Sequence, residues 1–182
     1  MSGEKHTPGC GVPAALPAGG LFCFRAATNG ASFSTPSTTN RMRINVRRAD
    51  APFHFVATNP AGIEVHMDSG PQPKGAGPVQ MLVMAMAGCS GIDIVDILAK
   101  GRQQIDTFDM ELDYERAKDQ VPALVTTIHA HYVFTGALDE EKVRRAIELS
   151  IDKYCTVSKM LEKTAAITFS FSINGTRYEG RR

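Results

Sequence analysis

Pro78-Val79-Gln80-Met81-Leu82-Val83-Met84-Ala85-Met86-Ala87-Gly88-Cys89-Ser90-Gly91 is the stretch from which the rest of the chain is read. Pro78 sits where a helix tolerates proline, in the first turn, because its missing N–H would be unpaired there anyway. From Val79 the residues are apolar nearly all round as far as Cys89, and the pattern runs on to Lys100. Such a helix is expected to be buried on most faces rather than to lie on a surface. At 1.5 Å per residue it spans roughly 33 Å, the width of a small domain. A membrane span is the rival reading. The unbroken apolar run falls short of the ~20 residues that crossing needs, Gln80 interrupts it, and Asp93 and Asp96 follow within the same helix.

Outward from this helix the pattern changes to period 2. Toward the N-terminus, 42–48 and 53–58 read as short strands, and Asn59-Pro60-Ala61-Gly62 turns the chain into Ile63, Val65 and Met67, which alternate with Glu64 and His66. Toward the C-terminus, Phe108, Met110, Leu112 and Tyr114 alternate with acidic residues, and Ile128, Ala130, Tyr132 and Phe134 with Thr127, His129, His131 and Val133. The charged loop 116–121 between them is long enough for an antiparallel connection. A second helix is expected after Gly136, with Asp139 as N-cap, Glu140 and Glu141 in the first turn, and Val143, Ile147, Ile151, Tyr154 and Leu161 as its apolar stripe. Ile167, Phe169, Phe171 and Ile173 form a last strand before Asn174-Gly175. The fold class is α+β, with mostly antiparallel strands and two long helices.

Composition sets limits on function. The 182 residues suit one ordinary domain, and 20 basic against 19 acidic side chains leave no strong field. A nucleic-acid or anionic-membrane partner therefore has no compositional support. Residues 1–40 hold six Gly, four Pro, four Ser and five Thr without a sustained period, so residues 1–41 read as a disordered extension or a start assigned too far upstream, with the patterned domain at 42–182. Neither a secretory signal nor an Arg-rich transit peptide fits the extension, and a cytoplasmic location is expected. Cys10, Cys23, Cys89 and Cys155 show neither a CxxC pair nor zinc spacing. His129 and His131 share one strand face, a spacing that can ligate metal with His66 or a cysteine as a further ligand, but solvent-facing polar positions account for them more simply and no metal is expected. Met81, Met84 and Met86 fit core packing better than a ligand pocket. No phosphate loop or nucleophile elbow is present.

Two helices each carry one cysteine. Cys89 lies among Ala87, Gly88, Ser90 and Gly91, and two glycines inside a helix cost about 1 kcal/mol each, a cost that suggests a close approach of something to the backbone. Cys155 lies in Lys153-Tyr154-Cys155-Thr156-Val157-Ser158, within the second helix or at a break in it. If the helices pack side by side the thiols can meet, whereas the simpler reading makes each a small buried hydrophobe.

From Met42 onward the chain resembles the osmotically inducible protein C and organic hydroperoxide resistance (OsmC/Ohr) family. Gly77-Pro78-Val79-Gln80-Met81-Leu82 running to Ala87-Gly88-Cys89-Ser90 is similar to the family's approach to its first cysteine, and Ser150-Ile151-Asp152-Lys153-Tyr154-Cys155-Thr156-Val157-Ser158 to the second. The likeness is strongest to the family's small uncharacterised branch. It implies antiparallel sheets packed on two long central helices in an intertwined homodimer. It also implies a thiol peroxidase in which Cys89 is peroxidatic and Cys155 resolving, with an organic hydroperoxide as substrate, an external dithiol as reductant and no bound cofactor. Arg47 and Arg48 lie near the place of the family's thiolate-stabilising arginine. The family's glutamate is replaced, with Val79 at its nearest position and Gln80 next. That departure keeps open an alternative: a catalytically weak redox sensor or binder of small apolar ligands on the same fold.

Overall fold

The computed structural model describes residues 41–180. Expectations placed on residues 1–40, Cys10 and Cys23 included, lie outside the described residues. The first three strands form an antiparallel meander of β1 (Asn45–Arg48), β2 (His54–Thr58) and β3 (Glu64–Asp68). Its turn is made by Asn59, whose side chain accepts from the N–H groups of Ala61 and Ile63, a local bonding pattern that favours Asn at such positions. α1 (Pro78–Lys100) begins as its sequence predicts, with Pro78 in the first turn. The Gln80 side chain reaches back to accept from the Gly77 N–H at 2.9 Å, which satisfies a donor that the helix start leaves open.

The two alternating segments pair as a long antiparallel hairpin, β4 (Gln104–Arg116) and β5 (Val125–Ala137). Their register aligns the apolar sets, Phe108 with Phe134 and Met110 with Tyr132, and the Phe108 and Phe134 rings stack with centroids 4.4 Å apart. Asp139 caps α2 (Glu140–Leu149) by accepting from the Lys142 N–H. Val143, Ile147 and Ile151 are fully buried and Leu161 nearly so, while Tyr154 is half exposed.

Two expectations need correction. The second long helix is instead three pieces: α2, a π-helical turn over Ser150–Tyr154, and α3 (Thr156–Leu161). The break falls at Cys155, whose ψ of 101° is extended, and its N–H bonds the Ser150 carbonyl at 2.8 Å, the five-residue step of a π turn. The sheets are also not purely antiparallel. β6 (Ala166–Ile173) runs parallel to β5 because the chain between them crosses over through α2 and α3, and β7 (Thr176–Glu179), a strand not foreseen, returns antiparallel along β6 after Asn174-Gly175. The second sheet is therefore mixed, in the order β4-β5-β6-β7.

The core joins this sheet to the helices through Met86, Ile94 and Leu98 of α1, Val143 and Ile147 of α2, and Tyr132, Phe134 and Phe171 of the strands. By length and composition α1 is apolar enough to cross a bilayer, a property that core helices share. Its burial is one-sided, so a third expectation, that of a helix buried on most faces, is corrected as well. Met86 and Ile94 are fully covered, but Leu82, Met84, Ile92 and Val95 on its other faces are exposed in the single chain, Ile92 at 74%. Phe53, Phe55, Val46 and Val65 of the meander are likewise exposed.

Candidate active site

Cys89 comes from the middle of α1, and Cys155 from the break between the π turn and α3. Small residues flank Cys89 on α1. Ser90 and Gly91 are buried, and a Cβ on Gly91 would come within 2.8 Å of the Met110 methyl, so β4 packs directly on the helix backbone there. Gly88 has no such neighbour. An open apolar groove of about 650 Å³ starts at Gly88 and runs along Gly91, Ile92 and Val95 toward Phe108 and Met110.

Polar bonds fasten the π turn to α1. Ser150 Oγ donates toward the Ser90 carbonyl at 3.3 Å and lies 3.1 Å from Asp93 Oδ2, and the Tyr132 hydroxyl bonds Ser90 Oγ at 3.3 Å. These groups are buried apart from Asp93, which is partly so. Buried polar atoms that satisfy each other fix one geometry, since any other leaves a donor or acceptor without a partner. The consequence is a fixed position for Cys155 relative to Cys89.

Both cysteines are free thiols, Cys89 partly exposed and Cys155 buried. They are near enough to each other that Cys89 influences the ionisation of Cys155. Burial pushes the Cys155 thiol above its usual pKa, and the neighbouring Cys89 adds to the rise. Ser158 opposes both through its backbone N–H, 3.3 Å from Cys155 Sγ, and through its hydroxyl. That hydroxyl is buried without a formed hydrogen bond, so it acts as a nearby dipole available to a thiolate. In the neutral state the Cys155 thiol points toward the Met86 carbonyl, at a sulfur–oxygen distance of 3.9 Å.

The other residues singled out from sequence lie elsewhere. Arg47 pairs with Glu64 at 3.4 Å, and Arg47 and Arg48 line a separate cleft on the meander. Among the described residues no hydrogen bond or ion pair joins either arginine to Cys89 or Cys155. Gln80 is occupied at the start of its own helix. His129 and His131 bond Thr168, Ser170 and Ser172 on the face of the second sheet, apart from His66 on the first. No group of three or more potential metal ligands occurs among the described residues. Met86 is core, Met81 half-buried and Met84 exposed. Sequence reasoning passed over Ser90, Asp93, Ser150 and Ser158 as contributors to the site. Ser150 and Ser158 flank Cys155 within the second motif, but no periodicity marks a serine that bonds across helices.

The model of the OsmC-like protein family matches residues 70–170. Protein YhfA of Escherichia coli K12 is 40% identical over 120 residues, which cover 65% of this chain and 89% of that protein. A hypothetical protein from Aquifex aeolicus VF5 superposes with a TM-score of 0.67 at 24% identity, covering 75% of this chain and 98% of that one. The organic hydroperoxide resistance protein OsmC from Legionella pneumophila superposes with a TM-score of 0.57 at 12% identity, covering 75% and 99%. At those identities the two structures bear on the fold alone. The family model spans more than half of the chain, and its matched segment contains both cysteines, the π turn and the helix that carries Cys89. The chain belongs to the OsmC-like family.

Proposed function

We propose that this protein reduces organic hydroperoxides through Cys89 and Cys155, with an external dithiol as the final reductant and no bound cofactor. The observation that carries the proposal is the closeness of a partly exposed thiol on α1 to a buried one at the helix break, near enough to raise its pKa. In the first step the Cys89 thiolate attacks the outer peroxide oxygen; the O–O bond breaks, an alcohol leaves after taking up a proton, and the sulfur becomes a sulfenic acid. Cys155 then attacks that sulfur, water leaves, and a disulfide forms. A dithiol reduces the disulfide by exchange and returns both thiols. The apolar groove beside Gly88 supports an organic rather than a small polar peroxide.

The exposed apolar side of α1 and the exposed apolar residues of the meander support a homodimer in which a second copy covers them and roofs the groove, whose residues Ile92 and Val95 belong to the same surface. The reading also places the protein in the cytoplasm, where dithiol reductants are available.

A second reading has its own observation. Among the described residues no basic side chain bonds Cys89, and a thiolate without such a partner is costly in apolar surroundings. On that reading the protein is a slow redox sensor or a binder of apolar ligands in the groove. Peroxide consumption with a dithiol supplied separates the two. Sustained turnover of cumene hydroperoxide, lost in Cys89→Ser, supports the peroxidase; a single slow oxidation without turnover supports the second reading.

A further inference from the structure

Ser158 is fully buried, and its hydroxyl makes no hydrogen bond. Buried polar atoms without a partner are few in folded proteins, and each calls for a reason. The same residue is already engaged through its backbone. Its N–H lies in the first turn of α3, where the helix offers it no carbonyl, and it donates to Cys155 Sγ at 3.3 Å. On its other side the Cys155 thiol points to the Met86 carbonyl, at a sulfur–oxygen distance of 3.9 Å.

These groups suit the two charge states of Cys155 differently. A carbonyl only accepts, so the Met86 contact serves the thiol and is lost to the thiolate. A thiolate has no proton to give and needs donors, of which Ser158 holds two, the N–H already at the sulfur and a hydroxyl whose hydrogen can rotate. Both oppose the rise that burial imposes on the Cys155 pKa. The charged side chains around the break are engaged elsewhere. Lys159 pairs with Glu162, Lys153 lies over the Tyr154 ring, and Asp93 of α1 meets Ser150. Cys89 is the neighbouring titratable group that acts on Cys155, and it raises the pKa further.

We propose that Ser158 is a catalytic residue of the resolving half of the cycle, its N–H and hydroxyl together receiving the Cys155 thiolate whenever that thiolate forms. The inference rests on the peroxidase reading for what the thiolate attacks. The thiolate forms at two points. When Cys155 attacks the Cys89 sulfenic acid, its electron pair makes the S–S bond, and its proton leaves with the sulfenic hydroxyl as water.

When the external dithiol reduces the disulfide, it attacks the sulfur of Cys89, the more exposed of the two. The S–S electron pair goes to Cys155, which leaves as a thiolate onto the same two donors. The second thiol of the reductant then displaces Cys89, and the reductant departs as a disulfide. A thiol of lower pKa leaves faster, so Ser158 directs the reductant to Cys89 and assists both halves of the exchange.

The test follows the Cβ resonance of Cys155 against pH in the full chain carrying Cys89→Ser, with and without Ser158→Ala. No peroxide is involved, so the outcome is independent of whether the protein turns peroxide over. Loss of a donor to the anion raises the midpoint, by about one pH unit for one charge-assisted hydrogen bond. Urea unfolding near neutral pH, where the thiol is protonated, should show no loss of stability in Ser158→Ala, because the hydroxyl has no bond to lose; a serine of merely structural value would show one. With Cys89 present and one equivalent of cumene hydroperoxide, Ser158→Ala should slow disulfide formation about threefold relative to peroxide loss, since a tenfold smaller thiolate fraction is partly offset by a more nucleophilic thiolate. Reduction of the disulfide by dithiothreitol should slow as well. An unmoved midpoint overturns the proposal whatever the peroxide result, and so does a disulfide that forms at an unaltered rate relative to peroxide loss.

Discussion

The buried thiol of Cys155 is a near neighbour of the partly exposed thiol of Cys89, close enough that Cys89 adds to the rise in its pKa. On the proposed peroxidase reading this asymmetry sets their order: a peroxide reaches Cys89 first, and Cys155 meets only what forms on its neighbour. Cys155→Ser therefore leaves the first oxidation intact and blocks the second. After peroxide treatment this variant should carry a sulfenic acid on Cys89 that dimedone traps, whereas the unaltered chain should give little adduct. An adduct of equal yield in both would remove Cys155 from the reaction.

The raised pKa of Cys155 has a directional consequence. For a thiol the charged form is the anion, so burial stabilises the protonated state and the folded pKa lies above the unfolded one. The stability that this supplies is complete below the ordinary thiol pKa and is lost as pH rises through the raised value. In Cys89→Ser, alkylation of Cys155 by iodoacetamide should accordingly accelerate only above the ordinary thiol range of about pH 8.5. A rate that levels off near neutral pH would contradict it.

Ser150 fixes the π turn against α1 through its two contacts, with the Ser90 carbonyl and Asp93. Ser150→Ala removes both, and urea unfolding should register a loss of about 1–2 kcal/mol. Because the turn presents Cys155, disulfide formation should slow as well. Unchanged stability would mean that the break is held by packing alone.

Ile92 is 74% exposed in the single chain, in an apolar surface shared with Leu82, Met84 and Val95. Light scattering should report a dimer for the unaltered protein, and a charge at the centre of this surface, Ile92→Glu, should shift it toward monomer. A monomeric unaltered protein would sink the proposal that a second copy covers α1.

Much of this fold was legible because its signals are local. The alternation in 108–114 and 128–134 determined which residues face the core, and the observed register pairs Phe108 with Phe134 accordingly. Pro78 and Asp139 marked helix starts that the structure keeps. The break at Cys155 was less legible, since Ser150 to Tyr154 contains neither Pro nor Gly and the turn is tied down by bonds to another helix. Parallel pairing of β5 with β6 is a property of the crossover and is absent from either strand's own pattern. His54 gave no signal for the same reason. Its partner His66 becomes a neighbour only once the β2–β3 register is set. The cysteine pair was suggested by motif resemblance, whereas spacing alone left it open.

The most direct test of the central claim is mass spectrometry of the intact protein and of Cys89→Ser after one equivalent of cumene hydroperoxide, with peroxide loss followed over time. The account predicts rapid loss of peroxide and a Cys89–Cys155 disulfide in the unaltered protein, with neither in the variant. Reduced thiols beside undiminished peroxide in the unaltered protein would contradict it.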